Sequence, residues 1–305
     1  MPRGGNGKDM LNARPISAPL FEPVTLALAK QQCRVSPEFT DDDGLLAVYI
    51  AAARNYVETK IQGSLFNRTW VRTIDNFPLA ANYDTTISAA DRIGWPVASQ
   101  IANRVVIDLP GGLAQKINSL SYLDGNTSNV VTLDPALYQA DLSSVPARLT
   151  PFNYYWPWQG QFMPGSVRVN YEIANFVSAV TGEAFTVPAP SGATSTYELA
   201  EPWATGLERL VDGTGAAVAG AVLATDGLTG ISTLTLPGAL AGKALTVDYD
   251  VEDLPGDITQ AILLLVGHAY RNPEATTDLK LTSVPFGVDS LLGPHVITWG
   301  DYRPC

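Results

Sequence analysis

Between Thr40 and Phe66 the chain reads TDDDGLLAVYIAAARNYVETKIQGSLF, and this stretch constrains the fold more than any other. Thr40 or Asp41 is placed to cap a helix, and Asp41, Asp42 and Asp43 stand where a helix N-terminus favours negative charge. Gly63 follows as a candidate left-handed C-cap residue. The spacing predicts one helix from about Asp42 to Gln62, roughly 30 Å long at 1.5 Å per residue. Leu46, Ile50, Ala53, Val57 and Ile61 form one apolar stripe along it, and Leu45, Tyr49, Ala52 and Tyr56 form a second beside the first. Ala47 and Ala51 leave a smooth strip where another helix could approach closely. Arg54, Asn55, Glu58 and Thr59 supply the polar remainder. That is more apolar circumference than one small domain needs, so the second face requires its own cover.

The flanking sequence supplies few helices and many strands. EPVTLALAKQQCRV predicts a short helix from about Leu26 to Arg34 capped by Thr25. After Phe66 the period becomes alternating, and FNRTWVRTIDNF, NRVVIDLP, KINSLSYLDG, NVVTLD, YQADLSS, ARLTPF and SVRVNYEI read as short strands between turn residues. A hairpin turns around Asp124, Gly125 and Asn126. Near Ser178 the composition shifts to Ala, Gly, Thr and Ser, and STYEL, ERLVD, STLTLP and ALTVDYDV predict a small β-sandwich of roughly 70 residues, near the lower limit of what folds alone. LPGDITQAILLLVGHAYRN returns to helix with Asp257 as its cap, and Ile258, Ala261, Ile262, Leu265, Val266 and Ala269 form its buried stripe. The expected class is α+β. It comprises a small helical bundle (two N-terminal helices and one late helix), an antiparallel β module and an inserted β-sandwich-like domain. The expected boundaries are a loose arm at 1–22, a core at 23–177 and 254–282, an inserted domain at 178–253 and an extended tail at 283–305.

Composition narrows the chemistry. The 305 residues carry a net charge of −11 and are 46% hydrophobic. A chain this acidic is poorly suited to gripping nucleic acid through phosphate neutralisation, although like charge would let DNA slide past it. Two cysteines, Cys33 and Cys305, form no disulfide framework, and with His268 and His295 they almost exclude a zinc site. Helix-start pairing explains Asp41 to Asp43 better than a metal does, since a calcium loop needs spaced oxygen ligands. His268 is expected to be a packed or interface histidine. GTGAAVAG, Gly213 to Gly220, reads as a turn because Val218 stands where a dinucleotide loop needs glycine. NYYWPWQGQF could offer Trp156 and Trp158 as a ring-stacking surface, or pack as a loop onto the sheet. No nucleophile, base and oxyanion site assemble, so no enzyme, cofactor or metal is expected. The most hydrophobic run, Ala261 to Tyr270, is too short to span a bilayer.

In order along the chain, EPVTLALAKQQCRV, the acidic linker, DDGLLAVYIAAARNYVETKIQGSLFNRTWVRTIDNFP, RVVIDLP, INSLSYLDG, LDPALYQAD, PARLTPFNYYWP and SVRVNYEIA resemble the tailed-bacteriophage head–tail connector (adaptor or head-completion) family. ITQAILLLVGHAYRNPEA and VPFGVDSLLGP continue the resemblance, which covers about residues 22–175 and 255–294. It implies a non-enzymatic virion protein of the neck, made in the host cytoplasm. The protein would form a homo-oligomeric, dodecameric ring between the portal protein and the tail or stopper proteins, with DNA passing through the channel unread and no membrane involved. Residues 178–253 depart from the shorter family pattern.

The resemblance offers a cover for the second face, namely a neighbouring copy. Ala47, Ala51 and Arg54 then become candidates for the ring interface, with Tyr49 and Tyr56 turned inward. In the tail, Val288, Leu291, Leu292, Val296, Ile297 and Trp299 are candidates for contact with the portal; Val288 to Leu292 could equally fold back over the late helix. The competing reading is a carbohydrate- or receptor-binding virion protein that uses the inserted domain or the Trp156–Trp158 loop.

Overall fold

The computed structural model describes residues 12–78, 106–152, 156–157, 164–272 and 286–297. It is α+β, as expected, and divides into two units that interleave along the chain. Unit 1 comprises residues 1–18, 62–175 and 297–305; unit 2 comprises 19–61 and 176–296.

Unit 1 holds eight described strands: β1 (Ala13–Pro15), β2 (Arg68–Ile74), β3 (Ile107–Leu109), β4 (Ala114–Leu123), β5 (Val130–Thr132), β6 (Tyr138–Asp141), β7 (Ala147–Pro151) and β8 (Val167–Ile173). They form a five-stranded sheet in the order β1-β2-β8-β4-β5 and a three-stranded sheet in the order β3-β7-β6. All pairings are antiparallel. Val167, Val169, Tyr171 and Ile173 alternate along central β8 and are fully buried, as a strand with one core face requires. They pack with Trp70, Leu109, Leu120 and Leu149 in one core. The buried Tyr171 hydroxyl donates to the Pro110 carbonyl at 2.7 Å, and burial pushes its pKa well above the ordinary tyrosine value.

The described residues of the expected loose arm are tied to the sheet of unit 1. Its residues add β1 to the edge of β2, the Ile16 amide donates to the Thr69 carbonyl, and the Arg68 guanidinium donates twice to the Ser17 carbonyl. Strand pairing of so short a segment is set by the sheet that receives it and leaves little periodic trace. The β4–β5 hairpin turns where expected. Asp124 accepts from the Asn126 amide and the Thr127 hydroxyl. The same Asp-Gly-x-Thr device closes a hairpin in unit 2, where Asp226 accepts from the Leu228 and Thr229 amides and the Thr229 hydroxyl.

Unit 2 combines helices with a sandwich. Its helices are α1 (Leu26–Cys33), α2 (Asp43–Ile61), α3 (Gly256–Arg271) and α4 (Phe286–Leu292). Thr25 caps α1 by accepting from the Leu28 amide, and Arg34 ends the helix in the left-handed conformation. Both α1 and α2 pack against α3. The predicted stripe Leu46, Ile50, Ala53, Val57 and Ile61 is buried throughout. On α3, Ile258, Ala261, Ile262 and Val266 are buried, whereas Leu265 and Ala269 are half-buried and His268 is exposed rather than packed.

The sandwich holds β9 (Val177–Thr186), β10 (Thr194–Glu198), β11 (Ala204–Asp212), β12 (Val222–Thr225), β13 (Ser232–Pro237) and β14 (Ala244–Glu252). Its two three-stranded sheets run β11-β14-β9 and β10-β13-β12. Phe185, Leu210, Leu234, Leu236, Val247 and Tyr249 share its core. At its edge, the Tyr197 and Tyr249 hydroxyls both donate to the Glu183 carboxylate, and their pKa values rise, chiefly through burial.

Three expectations about element ends are corrected. The residue after α2 in the left-handed conformation is Gln62, with φ 59°, not Gly63. Gly63 is needed for space: a Cβ there would lie 2.4 Å from Ile297 Cδ1 and 2.7 Å from the Gly111 carbonyl oxygen. Helix α3 starts after Pro255, and Asp257, expected as its cap, instead reaches His295. The tail is not wholly extended, since Phe286–Leu292 form α4; its buried residues draw helix from a sequence rich in Pro and Gly.

Replacing Gly63 by Ala forces Ile297 or the Gly111 backbone to move. Urea unfolding should show a loss of about 1–3 kcal/mol, the usual cost of overpacking.

Candidate assembly surfaces

Helix α2 has three kinds of surface. Its buried face is the stripe described above. Ala47, Ala51, Tyr49 and Tyr56 are half-buried. The third face carries Leu45, Val48 and Ala52, all exposed, with Val48 at 63%. These lie three, four and seven residues apart, so they share one side of the helix. Phe39, just before the helix, is also exposed.

The Arg54 side chain is only 8% accessible and is not available as a surface group. Its Nε donates to Glu22 at 2.9 Å, and Nη1 donates to Glu58 at 3.3 Å and to Asn55 at 3.0 Å. Of the three ring-interface candidates, Ala47 and Ala51 thus retain partial exposure and Arg54 does not. Sequence spacing could not separate the cases, because the decisive partner, Glu22, lies 32 residues away. Val48 was missed because it falls outside both apolar stripes. The acidic run is also put to use: Asp43 pairs with Lys30 at 2.6 Å, and Asp42 accepts from the Tyr270 hydroxyl at 2.6 Å.

The tail candidates separate in the same way. Val288 and Leu292 are buried in unit 2, where α4 packs on α3. Leu291 and Val296 are half-buried. Asp289 pairs with Lys60 at 3.2 Å, and His295 pairs with Asp257 at 2.6 Å and meets Phe176 edge-on. Ile297 belongs to unit 1, against Gly63. Trp299 lies outside the described residues, as do Trp158 and Cys305. Trp156 is buried and stacked on Phe77 at 5.1 Å, so its ring packs the core of unit 1 and offers no stacking face.

Unit 2 also contains a concavity of about 550 Å³, lined among others by Pro23, Leu28, Val180, Glu201, Trp203 and Asp253. Trp203 holds φ at 57°, unusual for a bulky residue. Its indole covers Gly230, where a Cβ would meet it at 2.9 Å. Among the described residues no cluster of His, Cys, Asp and Glu could hold a metal ion. No described helix is long and apolar enough to cross a membrane.

The segment that carries α1, α2 and β2 is where the chain is similar to a known family. Residues 23–94 match the family of phage gp6-like head-tail connector proteins. That similarity to phage head-tail connector proteins covers about a quarter of the chain. No curated protein matches the chain in sequence. Among solved structures, a chain from the neck of an empty GTA particle computed with C6 symmetry is 14% identical with a TM-score of 0.47, covering 93% of this chain and 94% of that one. A chain from the virion of a native gene transfer agent (GTA) particle is 14% identical with a TM-score of 0.46, covering 92% and 93%. A chain from the neck of a native GTA particle computed with C12 symmetry is 14% identical with a TM-score of 0.41, covering 93% of each.

Two predictions follow from the connector region and the docked tail. Arg54→Met removes the cation that Glu22 and Glu58 share, and chemical unfolding should show a loss of about 3–5 kcal/mol. Its bond to His295 holds the Asp257 pKa below the ordinary carboxylate value. That stabilisation is complete above the ordinary carboxylate pKa, about 3.9, and is lost as pH falls through the depressed value. Hydrogen exchange in α4 should therefore accelerate selectively under acid, and Asp257→Asn should remove that acid-dependent step.

Proposed function

We propose that this protein is a structural component of the virion neck that closes into a ring of copies, joining the portal of the head to the tail and continuing the DNA channel. The observation that supports it best is the apolar face Leu45–Val48–Ala52, exposed on the helix at the centre of the connector region. A helix already buried on one side and still apolar on another is suited to a second contact. A head-to-tail contact that closes by rotation covers such a face in every copy at once. The interface then runs along Val48 with Ala47 and Ala51 beside it, while Arg54 supports α2 from within.

For the tail, the burial of Val288 and Leu292 assigns them to fastening α4, and leaves Leu291, Val296 and Trp299 as candidates to reach the portal. The charge balance suits passage of DNA rather than its capture. Unit 2 holds 20 of the 30 Asp and Glu but 8 of the 19 Lys and Arg, so a phosphate backbone finds no strong grip there.

Light scattering on purified protein, alone and with portal, tests the ring. Val48→Glu and Ala51→Glu should each abolish rings while circular dichroism and the melting transition show a folded monomer. Rings that survive both substitutions would remove α2 from the interface, and a wild-type chain that stays monomeric beside its portal would overturn the ring itself.

A further inference from the structure

All the residues that line the concavity beside Trp203 belong to unit 2, and its volume of about 550 Å³ is that of a small-molecule site. Pro23 and Leu28 reach it from the start of the helical region, Val180 from β9, and Glu201, Trp203 and Asp253 from the sandwich and its exit. Glu252 lines it as well, so three lining residues carry carboxyls, and none is Lys or Arg. Glu201 and Asp253 are exposed, and Trp203 is half-buried. The Trp203 backbone is pinned on both sides. Its amide donates to the Gly230 carbonyl at 2.9 Å, and its carbonyl accepts from the Glu252 amide at 3.1 Å. Those bonds hold a bulky residue at φ 57°, a conformation that persists only where its surroundings enforce it. The indole is thereby fixed at the wall, one hydrogen bond away from the acidic pair Glu252 and Asp253.

Each part of the lining selects for one feature of a ligand. An indole face attracts a cation, a carboxylate binds an ammonium through charge-assisted hydrogen bonds, and Pro23, Leu28 and Val180 offer a surface to an aliphatic stem. A molecule that uses all three has ammonium groups joined by methylenes. A bare metal ion leaves the indole and the apolar wall unused. An added peptide strand finds the neighbouring backbone already committed: besides the Trp203 bonds, the Asp253 amide donates to the Phe176 carbonyl and the Glu201 amide to the Tyr249 hydroxyl. We propose that the Trp203 hollow is a binding site for an aliphatic diamine or polyamine. One ammonium lies over the indole, another pairs with Glu201 or Asp253, and the methylenes follow the apolar wall. The site is complete in a single copy, so it does not depend on ring closure.

Isothermal titration calorimetry of the full-length protein with spermidine and with putrescine tests this. Spermidine should bind about tenfold more tightly than magnesium ion, and about tenfold more tightly than a Gly-Lys-Gly peptide blocked at both ends. Glu201→Gln/Asp253→Asn should weaken spermidine about tenfold, and Trp203→Ala about fivefold. Glu38→Gln/Asp41→Asn removes two exposed acids that are not part of the lining, and should leave the affinity unchanged. Circular dichroism checks the fold of Trp203→Ala, and the exposed acid pair tests the site independently of that variant. Absence of binding by both amines overturns the proposal. So does magnesium binding as tight as spermidine, or an equal loss from the two acid pairs, since either means diffuse negative charge. Tighter binding of the lysine peptide assigns the hollow to a protein side chain and overturns the free amine as its ligand.

Discussion

A guanidinium that is almost entirely withdrawn from water has to be neutralised where it lies, and Arg54 places that requirement in the middle of the longest described helix. Glu22 approaches from the segment that precedes α1, and Glu58 from one turn further along α2. The pair with Glu22 fixes where the chain enters unit 2. Phe21 and Val24 on either side of that glutamate are buried to 4% and 1%. The entry in turn positions Thr25, and so the start of α1. Replacing such a pair with apolar groups of similar shape often costs little, whereas removing one partner costs much. The arrangement therefore specifies a geometry more than it adds stability.

That geometry leaves α2 with an uneven circumference, and the proposed ring contact rests on the unevenness. Five large or small apolar residues face inward, the alanines sit at the shoulder, and Val48 is left in solvent. A sequence pattern shows how much of a helix is apolar, but not which apolar side its own unit will use. The choice here was made by Arg54 and its distant glutamate. The same limit applies at the other end of the chain. Val288 and Leu292 could have faced a partner or their own helix, and it was the packing of α4 on α3 that decided.

What the sequence revealed well was periodic. The buried stripe of α2, the alternation along β8, the Thr25 cap and the Asp124 hairpin each follow from local spacing, and the structure repeats them. What it concealed was set at a distance. Strand β1 exists because the edge of β2 accepts it. Gly63 is small because Ile297 and Gly111 press on it, and Gln62 takes the left-handed turn in its stead. Trp203 adopts a positive φ against Gly230, a pairing that residues 27 positions apart cannot announce. Aromatic richness was a poor guide to exposure, since Trp156 spends its ring on Phe77.

The interleaving of the two units has a practical consequence. The backbone passes between them after Ala18, Ile61, Asn175 and Val296, so neither unit is one continuous stretch of chain. A single proteolytic nick after Ile61 or Asn175 separates no whole unit, because both fragments then carry segments of both. Expressing one unit by itself requires rejoining separated pieces, as in a circular permutation, and not mere trimming.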